Sequence, residues 1–473
     1  MTVRALLGLA VANLVVLGAG TCLLWGVRGF RSWAEIARLS GLGHMVGVAA
    51  LGVASTIELV VGVPFGVVTI LLTCLALAVG GLVAGQLLGR PPPSRRGEGV
   101  RGLGLVAASY LALVGVYAEA LFRAGRLAPL SNFDGWAFWV PKAKAIYFFG
   151  GLDEQFFREL ANPTYPPLVP ALEAAAFHAM GSADPVTLHV QFWFFLTGFI
   201  AAVAGLLAPR VHAALLWPVL LLVLVAPRVV ARSLEPQADF LLDYFFALAA
   251  LLVALWLVDR RPWQLSLASL FLAGAMLTKR EGQLLAACIV VAALAASWGT
   301  RRVAWPRILL AAGCAVALAL PWRLWFASRD LTGELPTSGA LGLFEHLDRP
   351  WPALQSVVEA LFDTGLWLLA LPLALIAIVL ALVGGARVLP AYAALLYGLA
   401  AAGFVWVLWS FTELELPYEQ DEGVNLLVRL CGSLVVLSAA LLPLLLDAAW
   451  RGPDGDEHAP PALRSRGAGT PPG

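Results

Sequence analysis

Long apolar runs separated by short polar segments dominate the sequence. A helix needs about 20 apolar residues to cross the hydrocarbon core of a bilayer. Runs of that length predict helices at 4–26, 43–63, 65–88, 102–121, 186–208, 211–230, 240–258, 306–326, 361–383, 388–410 and 426–449. Residues 263–298 hold two shorter runs broken at Thr278-Lys279-Arg280-Glu281-Gly282. One straight helix there would exceed ~50 Å, so two helices joined by a polar turn fit better.

The pattern therefore predicts an all-α polytopic membrane protein with about 13 transmembrane helices. Composition agrees, because 60% of the residues are hydrophobic, 13% are charged and the mean hydropathy is +0.84, whereas soluble chains carry roughly 25% charged residues. The cysteines lie singly within apolar runs, which is typical of small buried hydrophobes. Because no His/Cys group has metal-ligand spacing, we expect no structural zinc, although a divalent ion at the carboxylates stays open. We expect no nucleic-acid partner.

The placement of basic residues predicts the orientation, because cytoplasmic loops are rich in Lys and Arg. Four groups of arginines fall on one predicted face, which should be cytoplasmic: Arg90, Arg95, Arg96 and Arg101; Arg260 and Arg261; Arg301, Arg302 and Arg307; and Arg451, Arg464 and Arg466. Residues 1–25 are interpreted as a retained helix rather than a cleaved signal peptide. Residues 1–450 would form the transmembrane domain of a multi-pass protein of the cell membrane, and 451–473 a disordered cytoplasmic tail.

The opposite face would carry the long polar loop 122–185, outside the cytoplasm. Arg228, Arg232, Arg323 and Arg329 also fall on that face, either as exceptions to the rule or as cations kept there for a purpose. The same face would receive an acidic loop, which is most simply a solvated one: Glu413, Glu415, Glu419, Asp421 and Glu422.

Near the start of the loop, Asp134 is followed by aromatic residues spaced like the face of a short interfacial helix. Lys142 and Lys144 cannot share a helix face, so one can point inward while the other stays solvated. A stiff Asn-Pro-Thr-Tyr-Pro-Pro segment, 162–167, then leads into a short apolar helix that carries Glu173 and His178. Considered alone, these features also suit ordinary interfacial anchors and an N-capping aspartate.

As a set, they resemble the C-type (GT-C) membrane glycosyltransferases, in particular the branch of protein O-mannosyltransferases and aminoarabinose transferases. The likeness lies in Asp134, in the Y-P-P-L-x-P segment 165–170 and in Thr278-Lys279-Arg280-Glu281-Gly282, which is similar to a T-K-x-E-G turn of that family. Three details differ from the family. Gly135 stands where Glu often follows the aspartate, Tyr165 stands where His is common, and four predicted helices rather than one precede the loop.

The resemblance implies inverting transfer of a sugar from a polyprenyl-phosphate carrier to a hydroxyl of a glycan, lipid or protein, outside the cytoplasm. Asp134 would be the base. The donor phosphate would meet Lys279 and Arg280, with Lys142 and Lys144 next in line and Arg429 after them. Four more residues of these segments are expected to bind substrate, with membrane lipid around them: Trp136, Tyr165, Glu281 and Glu173.

Other acids within apolar segments leave alternatives open. Glu119 is most simply paired with Arg123 at i+4. Asp239 and Asp243 lie one turn apart on one face, and could bind a metal ion or a sugar, although a helix-dipole role for Asp239 is simpler. A transporter or flippase of a lipid-linked or small anionic substrate is the main alternative function, although no internal repeat supports it. A non-catalytic membrane scaffold is a third.

Overall fold

A computed structural model describes residues 2–94, 104–160, 162–329, 331, 344, 346–410 and 426–451. These residues form 20 α-helices and no β-strand. In chain order, α1 to α20 are Val3–Arg28, Trp33–Arg38, Ser40–Val60, Val67–Leu87, Leu105–Gly125, Val140–Phe149, Glu154–Glu159, Leu168–Met180, Pro185–Leu207, Ala213–Leu224, Pro227–Arg232, Ala238–Asp259, Pro262–Thr278, Glu281–Ala296, Arg301–Ala327, Pro350–Leu361, Thr364–Trp367, Ala370–Val383, Val388–Ser410 and Leu426–Arg451.

Within this part of the chain, nine helices are long and apolar enough to cross a membrane. A tenth span results if the pair Pro350–Trp367 and Ala370–Val383, bent by 110°, counts as one. Four further apolar helices are shorter, namely α8, α10, α13 and α14. The predicted all-α class is therefore confirmed, together with the apolar spans of an integral membrane protein. The count of about 13 stays a prediction. The acidic loop, residues 411–425, and the predicted tail beyond Arg451 lie outside the described residues.

Two helices, α12 and α20, form the centre of the bundle. In their most apolar windows, 94% of the residues of α12 and 89% of those of α20 are buried inside the protein, against 17% for α4 and α5. Helices that are apolar all round suit an interior position, whereas exposed apolar faces on peripheral helices suit contact with lipid. Any charge at the start of α12 or α20 is consequently carried into the middle of the structure.

The predicted break after Thr278 is present. Helix α13 ends at Thr278 and α14 begins at Glu281, and with 17 and 16 residues each is shorter than a full span of about 20. The turn brings Gly282 against α13, where an added Cβ would lie 2.0 Å from the Ala275 carbonyl oxygen. Glycine is required there by close approach, and the turn that holds Lys279 is thereby fixed against its own helix pair.

Loop 122–185 folds into a π-helical turn, Gly135–Trp139, followed by α6, α7 and α8. Lys142 of α6 is fully buried and Lys144 is partly exposed. The Lys142 Nζ atom donates a hydrogen bond to the Asn162 carbonyl oxygen at 2.6 Å, and Asn162 has a positive φ of 54°. Lys142 therefore holds the Pro-rich segment in place, which gives this buried lysine a structural task.

We predict that Gly282→Ala lowers the melting temperature of the purified protein, because the new Cβ would overlap the Ala275 carbonyl. Gly313→Ala in the middle of α15 is the matched control, since an added Cβ meets nothing within 4 Å there. Alanine is the better helix former, so this control should melt at the same temperature or higher. Equal melting temperatures for Gly282→Ala and the parent would contradict the close packing of the turn.

Candidate active site

Five ionisable side chains from distant parts of the chain meet at the starts of α12 and α20. They are Asp134, Asp239, Lys279, Glu281 and Arg429, here named the charged cluster. The loop supplies one, the start of α12 one, the α13–α14 turn two and the first turns of α20 one. Buried charges are retained only when they are paired or used, so a cluster of this kind is the strongest candidate for a functional site.

Arg429 is the bridge of the cluster. Its Nε atom lies 2.6 Å from Asp239 Oδ2 and its Nη2 atom 3.0 Å from Asp239 Oδ1, a two-pronged contact. Nη2 also contacts the Asp134 carboxylate. Among the described residues, no other side chain pairs with Asp134. The position of the loop aspartate is thus set by an arginine nearly 300 residues further along the chain.

Lys279 supplies the second cation. Its Nζ atom lies 3.0 Å from Asp239 Oδ1 and 3.0 Å from Glu281 Oε1. The Tyr165 ring covers it, with Nζ 5.6 Å from the ring centroid, and that ring is stacked on Trp139 at 5.3 Å and 3°. Burial raises the pKa of Tyr165 above its usual range, so its hydroxyl stays protonated. The Pro-rich segment thereby closes over the α13–α14 turn, and the two motifs of the sequence become neighbours.

A hydrogen-bonded layer positions the turn that carries Asp134. The Asn132 side chain accepts from the Gly135 backbone N–H at 3.1 Å and donates to Glu235 Oε2 at 2.7 Å. Arg232 pairs with Glu235 at 2.8 Å. Glycine at 135 has a packing reason, because an added Cβ would lie 2.9 Å from the Pro236 carbonyl oxygen. A larger residue such as the glutamate of the resembling family would not fit here without displacing the α11–α12 connection.

Asp243 lies one turn beyond Asp239 and is also buried. It accepts a hydrogen bond from the Ser433 hydroxyl of α20, and Gly432 leaves room beside it. The predicted shared face of the two aspartates is present, and it points at α20. Asp239 lies in the first turn of α12, as a helix-dipole role requires, but its ion pairs with Lys279 and Arg429 are its principal contacts.

A small cavity of about 20 Å³ opens on the cluster, lined by Asp134, Asp239, Arg429 and Arg228 among others. That volume suits about one water molecule, so a larger ligand requires the site to open. Arg228 makes no ion pair within the described chain. Burial, together with the neighbouring charge of Arg232, lowers the pKa of Arg228 to about 10, and it remains a cation at neutral pH. Two of the basic residues that broke the orientation rule, Arg228 and Arg232, therefore line this cavity.

Other predicted site residues lie outside the ion pairs of the cluster. Arg280 is partly exposed, near Arg323, and makes no ion pair with a described residue. Trp136 is exposed and packs edge-on against Phe133. Lys142 is bound to the Asn162 carbonyl oxygen, and Lys144 is partly exposed. Glu173 is buried, and among the described residues neither of its carboxyl oxygens has a hydrogen-bond partner.

Arg429, ranked behind four other cations by sequence, makes the most contacts in the cluster. For Asp239 the sequence leaves open a metal or sugar ligand beside the simpler dipole role, and for Arg228 either an exception to the charge rule or a cation kept for a purpose. For Asp239 and Arg429, the available signal was a charge in the first turns of an otherwise apolar helix. Their partners could not be deduced, because they lie far away in the chain. By contrast, the predicted pair of Glu119 and Arg123 at i+4 is present.

Within the described residues, no three His, Cys, Asp or Glu side chains converge in a way that could hold a metal ion. Asp134, Asp239 and Glu281 are instead in contact with basic side chains. The polar chemistry that the structure offers at this site is that of carboxylates beside guanidinium and ammonium groups. Such an arrangement can accept a proton and bind an anion.

Comparison with protein-family models, with curated protein sequences and with solved structures finds no significant match to this chain. The likeness to GT-C enzymes therefore depends on the motif residues alone. Function has to be argued from the site itself.

We predict that Arg429→Gln destabilises the purified protein by about 3–5 kcal/mol, because it leaves the buried Asp134 carboxylate without a charged partner among the described residues. The double variant Arg429→Gln/Asp134→Asn should recover part of that loss, since it removes this unpaired charge while Asp239 keeps Lys279. Thermal and denaturant unfolding of the parent, both single variants and the double variant supply the cycle. If the double variant lost as much stability as the two single variants added together, the predicted contact between Arg429 and Asp134 would be contradicted.

A second prediction concerns Glu173, where burial raises the pKa well above its ordinary value. The folded protein then holds this proton more tightly than the unfolded chain. Above about pH 4.3 the unfolded chain releases the proton, so the free energy of unfolding falls as the pH rises. Glu173→Gln should melt at a higher temperature than the parent at pH 7, and the difference should shrink at pH 4. The exposed Glu159→Gln variant should show no such trend. A pH-independent difference for Glu173→Gln would contradict the buried, uncharged carboxyl.

Proposed function

We propose that the protein is a glycosyltransferase that moves a sugar, with inversion, from a polyprenyl-phosphate-linked donor to an acceptor hydroxyl of a glycan, lipid or protein. The observation that carries the proposal is the contact of Arg429 with both Asp134 and Asp239. It joins the proposed base of the loop to the cations proposed to bind the donor phosphate. As part of the proposal, the cluster faces outward from the cell membrane, in keeping with the arginine distribution.

In the proposed reaction, the acceptor oxygen attacks the anomeric carbon while Asp134 takes the hydroxyl proton. The bond from the anomeric carbon to the phosphate oxygen breaks, and the polyprenyl phosphate leaves with the electron pair. Negative charge develops on the leaving phosphate, and guanidinium and ammonium groups placed beside it lower the barrier. Arg429, Lys279 and Arg228 are the cations available at the cluster and its cavity.

Arg429 would couple donor binding to the readiness of the base. It contacts Asp134 in the structure described here. An arriving phosphate competes for the same guanidinium, because arginine binds phosphate through paired hydrogen bonds. Transfer of Arg429 to the phosphate would release the Asp134 carboxylate for the acceptor hydroxyl. Asp239 would keep its contact with Lys279 throughout and hold the second cation in place.

The apolar residues at the cavity suit a lipid-linked substrate. Trp367, Phe240 and Phe133 line the cavity together with the charged groups, and the exposed Trp136 packs edge-on against Phe133. Apolar walls beside a few placed charges are typical of small-molecule sites and exclude water from the reacting atoms. A phosphate joined to a long hydrocarbon chain has both properties that such a site selects, a negative charge for the cations and an apolar part for the walls.

We predict that Asp134→Asn lowers the rate of sugar transfer at least about 100-fold, the usual contribution of a general base. Purified protein in nanodiscs would be supplied with a panel of radiolabelled polyprenyl-phosphate hexoses and pentoses and an extract of native membranes as acceptor. Release of polyprenyl phosphate and labelling of the extract are measured together. Asp153→Asn is the matched control, because it is exposed in the same loop and can still cap α7. Equal rates for Asp134→Asn and the parent would contradict the base assignment.

The main alternative is a transporter or flippase, and the same preparation separates the two. In proteoliposomes, a transporter would move an intact labelled lipid-linked or small anionic substrate across the bilayer without consuming it. A glycosyltransferase would consume the donor and leave free polyprenyl phosphate. Movement of the intact substrate with no loss of donor would overturn the proposal.

A further inference from the structure

A second polar cavity lies at the other end of the bundle. It has a volume of about 260 Å³ and is bounded by the end of α1, by α2, by the end of α9 and by the connection from α12 to α13. Asp239 of the charged cluster and Leu255 of this cavity lie 16 residues apart on α12, or ~24 Å along its axis. The cavity is consequently separate from the proposed active site.

Five arginines converge on this cavity, here named the arginine pocket: Arg28, Arg31, Arg38, Arg210 and Arg261. Among the described residues that line the arginine pocket, Glu35 supplies the one carboxylate. Glu35 is buried and accepts from Arg28 Nη2 at 2.5 Å and from the Arg31 backbone N–H at 2.7 Å. Although burial alone would raise the pKa of the Glu35 carboxyl, these contacts lower it, so it is ionised and already committed to the protein.

Two arginines of the arginine pocket, Arg28 and Arg261, offer donors to a ligand. Arg210 is instead paired with Asp259, with 3.0 Å between Nη1 and Oδ1. Arg261 is exposed and makes no ion pair within the described chain. The Nε atom of Arg28 is buried and has no hydrogen-bond partner in the part of the chain that the structure describes, and the guanidinium lies 5.2 Å from the Trp263 ring. An unpaired buried donor is costly, and a bound acceptor would remove that cost.

Arginines that only orient a membrane protein project from loops into water and the headgroup region. Arg28 does otherwise, because its side chain is only 13% exposed and is turned into the arginine pocket. Arginine is also the side chain that binds phosphate most specifically, through its planar fork. Leu39, Leu206 and Leu255 line the same cavity and give it an apolar side. Another cavity, of about 740 Å³, adjoins the arginine pocket at Pro209, Arg210 and Leu255.

We propose that the arginine pocket binds a phosphate-bearing anion. The shared chemistry is that of a phosphate ester, which a lipid headgroup or a soluble phosphate compound can supply. Basic pockets between transmembrane helices are known sites for anionic headgroups. The proposal is independent of sugar transfer, and its test does not measure enzymatic activity.

The test is binding to the whole purified protein in a neutral detergent, followed by thermal unfolding and by native mass spectrometry. The probes are short-chain phosphatidic acid, inorganic phosphate and short-chain phosphatidylcholine. We expect phosphatidic acid to raise the melting temperature of the parent, and phosphatidylcholine to have no such effect. Protection by phosphatidic acid far above that by inorganic phosphate identifies a lipid headgroup as the ligand. Equal protection by the two identifies a soluble phosphate.

The variant Arg261→Gln should bind the effective probe about tenfold more weakly, the usual effect of losing one charged hydrogen bond, and Arg261→Glu should abolish binding. Because Arg261 is exposed and makes no ion pair within the described chain, these variants should fold. Arg302→Gln is the matched control, an exposed arginine at the start of α15 that does not line the cavity. Absence of binding by the parent, or equal losses for Arg261→Gln and Arg302→Gln, would overturn the proposal.

Discussion

The bridge that Arg429 makes between Asp134 and Asp239 is the contact on which the architecture of the site depends. It ties the long loop to the two most buried helices of the bundle, α12 and α20. Removing a guanidinium from water is expensive, and the protein offsets that expense with two carboxylates rather than one. The loop is therefore attached through a buried ion pair. Removing either Arg429 or its carboxylate partners would leave an uncompensated buried charge, which is strongly unfavourable.

The burial of the α13–α14 turn adds to the effect of the bridge. The α13 and α14 helices are shorter than a full span, and Lys279 in the turn between them is buried inside the protein. Gly282 permits the tight turn, and the stacked rings of Tyr165 and Trp139 close it from the loop side. A set of charges is thereby kept almost dry, where electrostatic interactions are stronger than in water. Such a setting would strengthen both interactions that the proposed reaction needs, the binding of a lipid phosphate and the transfer of one proton.

The sequence was a good guide wherever the determining interaction is local. The lengths of the apolar runs located the long helices, and the polar residues at 278–282 located the break. Spacing alone predicted the ion pair of Glu119 with Arg123 and the different exposures of Lys142 and Lys144. These features depend on residues within a turn or two of each other, and physical rules for helices are most reliable at that distance.

Ion pairs between residues far apart in the sequence could not be predicted from local spacing. Arg429 and Asp239 are 190 residues apart in sequence, and nothing near either residue indicates the other. Buried Lys142 could not be distinguished from a ligand-binding lysine, because its acceptor is a main-chain carbonyl set by the unusual backbone of Asn162. Glu173 was equally ambiguous, since only packing shows that it has no partner. In each case the deciding fact is a tertiary contact or its absence within the described residues.

A structure of the protein bound to a non-transferable polyprenyl-phosphate sugar analogue tests the central claim most directly, by showing which groups hold the phosphate. The account predicts phosphate density within hydrogen-bond distance of Arg429 and of Lys279 or Arg228, with Asp134 released from Arg429 and facing the anomeric carbon. An analogue bound elsewhere, with the contact between Arg429 and Asp134 unchanged, would contradict it.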